Sequence, residues 1–244
     1  MDARKWVDLI TWHLDTDPDL PPPPHAIPLE PSLEAAFADD DRFVVDPKEH
    51  EDGGTRRCEL PFIFLLLTKE LTYFVAIVKL FMCFASPNSS GHVWATGTGS
   101  VITPDVVLTA GHNLFDHRHN LGNVISVVAC VGYGGRQCLR AFGAQACVPR
   151  HWLEGGDRLS DLGIIKLDDA FIGSLSIIPL AHNDRATETE ISILGFPVDK
   201  GVNGEQGGAM YESIRSMELP SVSPGGMLFY TISTFSGISL LPSL

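Results

Sequence analysis

The chain has 244 residues, 44% hydrophobic and 19% charged, with 30 Asp plus Glu against 17 Lys plus Arg and a formal charge of −13. That length and apolar content allow one large domain or two small ones around a true core, and argue against collagen-like, coiled-coil or wholly disordered chains. An acidic chain without a Lys/Arg stripe lacks the cations that grip a phosphate backbone, so no nucleic-acid partner is expected.

In chain order, Trp6, Val7, Leu9, Ile10 and Leu14 fall at roughly helical spacing and predict a short amphipathic helix within Met1–Leu14. The prolines Pro21 to Pro24 end it, and Pro28 and Pro31 continue an extended linker. Residues 1–38 read as a prosegment or appendage, and residues 39–244 as the main domain. Met1–Leu20 has no apolar core of the kind a secretory signal carries, which leaves localisation open.

Pro61–Ala85 is the most apolar stretch. A membrane helix there would have to bury Lys69, Glu70 and Lys79, and its uncharged runs, Leu60–Thr68 and Leu71–Val78, are too short to span a bilayer. A buried strand over Tyr73–Phe84 is the better expectation, with no membrane partner. From Val93 onward, short runs rich in Val, Ile and Thr predict strands at Val93–Gly97, Ser100–Ile102, Val106–Thr109, Val124–Val131, Leu162–Leu167, Ile191–Gly195 and Met227–Ser233. Gly/Pro turn chemistry separates them, and no helices of ten or more residues alternate with them. This is the pattern of an all-β sandwich or barrel.

Five cysteines, Cys58, Cys83, Cys130, Cys138 and Cys147, form no C-x-x-C pair, so a structural zinc site has no support. Cys130, Cys138 and Cys147 lie close enough in sequence to bridge in an oxidising compartment, and the pattern fits small buried hydrophobes at least as well.

Three local patterns carry chemistry. The run Gly97–His112 reads as a hairpin whose second strand ends in a small-residue turn presenting His112. A general base needs a fixed tautomer and a route to solvent, and a strand end supplies both. Asp161 then opens the apolar run Leu162–Leu167; alone it reads as an ordinary turn residue. Last, Gly237-Ile238-Ser239 places a glycine two residues before a serine, which lets backbone N–H groups converge on one point, although Gly and Ser also populate ordinary turns.

Taken together and in order, T-A-G-H, D-L-G-I-I-K-L, G-F-P and Y-T-I-S-T-F-S-G-I-S resemble the glutamyl endopeptidases and their fungal relatives among trypsin-like serine proteases. Asp40-Asp41-Arg42 is similar to a segment near the mature start of those enzymes, and the likeness runs from about Asp39 to Ser239. It implies an all-β fold of two antiparallel six-stranded β-barrels of chymotrypsin type. It also implies a catalytic set of His112 as base, Asp161 as its orienting carboxylate and Ser239 as nucleophile. The N–H groups of Gly237 and Ser239 would form the oxyanion hole, and Thr234 would line the primary specificity pocket. No cofactor and no metal are implied. A monomer cleaving protein or peptide substrates after Glu or Asp is the expectation.

The sequence departs from that family at two places. Leu240-Leu241 stand where the family has Gly-Ser after the nucleophile, and the family continues with further strands beyond the position of Leu244. The second barrel is therefore expected to be incomplete at its C-terminal end and activity to suffer. Cys58–Thr72 is longer and more apolar than the family requires, and this insert and the tail Ile238–Leu244 read as translated intron or a gene-model error.

Two other readings have some support. His112, Asp116, His117 and His119 form H-x-x-x-D-H-x-H, whose side chains bind zinc in other settings, but on a loop rather than on one face of a helix. A protease fold that binds peptides without cleaving them is the non-enzymatic alternative. Trp94, Trp152 and Phe196 are expected in the core.

Overall fold

The computed structural model describes residues 8–16, 56–57, 76–87, 91–133, 138–171, 177–178, 189–197, 207–217 and 238–242. Twelve strands are described: β1 (Leu9–His13), β2 (Arg56–Arg57), β3 (Ile77–Ala85), β4 (His92–Thr103), β5 (Val106–Thr109), β6 (Phe115–Asp116), β7 (Gly122–Val131), β8 (Leu139–Pro149), β9 (Gly163–Leu167), β10 (Thr189–Gly195), β11 (Tyr211–Met217) and β12 (Ile238–Pro242). One short helix, α1 (Arg150–Gly155), follows β8.

Strands β3, β4, β5, β9, β8 and β7 pair antiparallel in that order, and β7 pairs back onto β3, closing a six-stranded barrel. Closure removes the exposed edges that an open sheet would present. The barrel interior holds Val78, Leu80, Met82 and Phe84 of β3 with Val107, Val127, Ala129, Ala146, Val148, Ile165 and Leu167. Burying each of the larger of these contributes on the order of 2 kcal/mol.

β3 accounts for the second half of the apolar stretch that raised a membrane alternative, residues 61–75 lying outside the described residues. Every residue from Ile77 to Phe84 is buried, because the strand is covered on both faces. Its even-numbered residues face the barrel core, while Ile77 packs with Leu194 and Phe196 and Phe81 packs with Val128 and Cys130. A strand covered on both sides loses the polar alternation of a half-solvated one. Among the described residues no helix is long and apolar enough to cross a membrane.

The helix expected over Met1–Leu14 is instead a strand. β1 pairs with the end of β8, Leu9 opposite Pro149 and His13 opposite Gln145. The informative residues are Ile10, Trp12 and Leu14, which alternate and turn one face to the barrel, whereas Leu9 is exposed. Trp12 Nε1 donates to Val124 O at 2.9 Å, and Leu14 N donates to Ala144 O at 2.9 Å. Leu14 fills the space left by Gly143: a Cβ there would lie 2.6 Å from Leu14 Cδ1.

The two-residue β6 pairs with β7, and four further strands form an antiparallel sheet in the order β12-β10-β11-β2. This sheet meets the barrel through Ala76, Ile77, Ile178, Leu194, Phe196 and Met210. Polar bonds cross the same seam. Phe196 N donates to Thr98 Oγ1 at 3.1 Å, and the fully buried Lys79 donates through Nζ to Gly207 O at 2.8 Å. Lys79 also sits 4.1 Å from the centre of the Tyr133 ring, so its charge faces a π surface rather than bare hydrocarbon. The tail that reads as intron or a gene-model error contributes β12, paired with β10 from Ile191↔Pro242 to Gly195↔Ile238. The strand expected at Met227–Ser233 lies outside the described residues.

Candidate active site

The T-A-G-H segment is fixed before it reaches the histidine. Thr109, the last residue of β5, donates through Oγ1 to Thr98 O at 2.8 Å and accepts from Asn113 Nδ2 at 2.8 Å. The chain then makes a single 3-10 turn, Gly111–Asn113, and the fully buried Leu114 anchors its far end in the barrel core. His112 sits at the middle of that turn.

The partner loop is shaped independently. Asp157 caps a second 3-10 turn, Arg158–Ser160, by accepting from Leu159 N at 3.2 Å and from Ser160 Oγ at 3.1 Å. Because β9 pairs with β5, Thr109 opposite Gly163, the residues just before β9 lie beside those just after β5. Asp161 and His112 thereby meet across 49 positions of sequence.

Both carboxylate oxygens of Asp161 are engaged by one residue. Oδ2 lies 2.8 Å from His112 Nδ1, and Oδ1 accepts from His112 N at 2.8 Å. A carboxylate held this way cannot rotate off the ring. It keeps the proton on Nδ1 and leaves the lone pair on Nε2. The side chains are 34% and 17% exposed, so the pair is sheltered while the imidazole still reaches solvent. Such a pair can take a proton at Nε2 while the half-buried carboxylate stabilises the resulting imidazolium.

Trp152, on α1, walls this site from behind, a role its sequence position does not reveal. Its ring is buried, donates through Nε1 to Phe115 O at 3.2 Å, and meets the His117 ring edge-on at 5.2 Å. His117 Nε2 in turn donates to Trp152 O at 2.6 Å. Gly111 leaves room for this wall: a Cβ there would lie 2.9 Å from Trp152 Cδ1 and 3.1 Å from Asp161 Oδ1. The glycine of T-A-G-H is thus required by close approach.

The H-x-x-x-D-H-x-H residues divide into three separate networks. His112 belongs to Asp161 and His117 to Trp152. The buried Asp116 accepts from His119 N at 2.8 Å, His119 Nδ1 at 3.1 Å and Leu121 N at 3.2 Å. Among the described residues no three of His, Cys, Asp and Glu are grouped to hold a metal ion.

For Ser239, the expected nucleophile, the structure describes the backbone alone. Ser239 lies in β12 opposite Leu194 of β10, two residues before the Phe196 that bonds to Thr98. Thr234 and Gly237 lie outside the described residues.

No protein-family model and no curated protein sequence matches this chain. Solved structures do. A Glu endopeptidase structure is 20% identical with a TM-score of 0.59, over 79% of this chain and 81% of its own. A thermostable serine protease, AL20, from an extremophilic microorganism is 16% identical with a TM-score of 0.50, over 70% of this chain and 79% of its own. This chain has an all-β, chymotrypsin-type fold.

Proposed function

We propose that this chain is a serine-type endopeptidase in which His112, Asp161 and Ser239 act together. The observation that carries the reading is the doubly anchored Asp161, which holds His112 in one tautomer at the mouth of two loops. Its support comes from the fold shared with two serine proteases and from Gly237-x-Ser239, which follows the His and Asp in the order those motifs require.

In this reading Ser239 Oγ attacks the carbonyl carbon of the scissile bond while His112 Nε2 takes its proton. The negative oxygen that forms is met by the N–H groups of Gly237 and Ser239. His112 then passes the proton to the departing amine, leaving an acyl group on Ser239. Water, deprotonated by the same imidazole, releases the acid and restores the serine. Thr234 lines the primary pocket, and cleavage follows Glu or Asp. That preference rests on the sequence resemblance and on the likeness to a Glu endopeptidase.

A fluorophosphonate probe tests the reading, because it phosphonylates only an activated serine. Labelling of the full chain that disappears in Ser239→Ala is the expected result. A folded sample that takes no label would assign the chain to a protease fold that binds peptides without cleaving them.

A further inference from the structure

Strand β7 and the segment entering β8 bring two cysteines and an arginine together. Cys130 of β7 pairs with Arg140 of β8, and Cys138 stands two residues before Arg140. Directly paired residues of an antiparallel ladder share a face, so Cys130 and Arg140 lie on one side, and Cys138 stands just ahead of β8 in the same cluster as Cys130. Cys130 and Cys138 pack in one cluster with Phe81, Val128, Trp94, Tyr133 and Phe142. Cys130 is buried, whereas Cys138 is partly open to solvent. Cys130, Cys138 and the Arg140 guanidinium are neighbours close enough to shift one another's protonation.

We propose that Cys130 and Cys138 form a thiol–disulfide redox site, with Cys138 the nucleophile towards a hydroperoxide and Cys130 the resolving thiol. The Cys138 thiolate attacks the outer oxygen of the hydroperoxide, the O–O bond breaks, and the alkoxide leaves and takes up a proton. Cys138 is now a sulfenic acid. The Cys130 sulfur attacks the Cys138 sulfur, the S–S bond forms, and hydroxide departs with the Cys130 proton as water. Two thiols and one hydroperoxide thus become one disulfide, one alcohol and one water.

The surroundings divide the two roles. Neighbouring Cys130 and the Arg140 guanidinium lower the Cys138 thiol to about 7, with Lys79 adding positive charge. Cys130 is pushed well above the usual thiol range by neighbouring Cys138 and by burial, which keeps it protonated until Cys138 is oxidised. The other described cysteines lack this setting. Burial pushes Cys83 up to about 11, and Cys147 sits towards the far end of β8 opposite Thr11 and Ile164. The site also adjoins the seam between the two sheets, because the Tyr133 ring lies 6.2 Å from the Phe196 ring.

The test uses the full reduced chain, one equivalent of hydrogen peroxide, and peptide mapping without reduction. A cross-link joining the Cys130 and Cys138 peptides, with the other three thiols still free, is expected. Cys138→Ser, changed at the partly exposed position, should lose that link. With iodoacetamide at pH 7, Cys138 should react roughly fivefold faster than an ordinary thiol, its thiolate gain being partly offset by lower nucleophilicity. A link that uses Cys147 or Cys83 instead, or a Cys138 that reacts no faster than the other thiols, would overturn the proposal. None of these readouts depends on Ser239, so the protease reading stands or falls separately.

Discussion

Asp161 does two jobs with one side chain, and they separate on substitution. One oxygen fixes the backbone of the 3-10 turn through His112 N, and the other fixes the ring through Nδ1. In Asp161→Asn, an amide oxygen can still accept from His112 N, but an NH2 group then faces Nδ1. The ring must move its proton to Nε2, where it can no longer take one from a serine. The fold should survive, while fluorophosphonate labelling slows by about 10³–10⁴-fold. Nitrogen-15 shifts of His112 would show the tautomer change directly. Unchanged shifts together with unchanged labelling would mean that Asp161 does not orient the ring. His112 and Asp161 were legible in sequence because short motifs carry them. Trp152 was not, because its role comes from the path of α1 behind the turn, and nothing near it in sequence records that path.

At the scale of elements, strands of strong β-formers were readable and the others were not. β5 and β9 run Val-Val-Leu-Thr and Gly-Ile-Ile-Lys-Leu, and sequence placed both within a residue. β8 escaped notice because its core-facing positions are Ala141, Ala146 and Val148 beside Gly143, small residues chosen for space rather than strand propensity. β11, Tyr-Glu-Ser-Ile-Arg-Ser-Met, shows no continuous apolar face. β1 was misread because five apolar residues can be fitted to a helical period as easily as three can to a strand period. Its contribution is measurable. Leu14→Ala would empty the space beside Gly143 and should cost about 2–4 kcal/mol in urea unfolding. A loss below about 0.5 kcal/mol would show that β1 does not belong to the cooperative core.

At the scale of the molecule, the barrel and the second sheet share a seam that couples site geometry to assembly. Thr98 is its hinge point. Its carbonyl accepts from Thr109, three residues before His112, while its hydroxyl accepts from Phe196 N, two residues after the strand position opposite Ser239. Thr98→Val keeps the shape, removes the hydroxyl and leaves a buried N–H without that acceptor, at a cost of about 1–3 kcal/mol. The loss falls on contact between the sheets, so urea unfolding of the variant should broaden towards two steps. A single transition of unchanged slope would show that this bond does not couple the halves. Sequence could name the strands on each side of this seam, but it does not encode which backbone group meets which hydroxyl across it.

The pairing of β1 with the end of β8 also sets an order of events during synthesis. Asp8 and Arg150 meet across 142 positions, so the strand made first has no partner until the ribosome has made nearly everything between them. At about 5–20 residues per second that delay is roughly ten seconds, during which Ile10, Trp12 and Leu14 have no barrel to enter. Closing so long a loop also raises the entropic cost of the final docking step and slows it relative to the local hairpins. The nascent chain therefore carries a sticky segment until β8 has been made, and completing the barrel is the act that hides it.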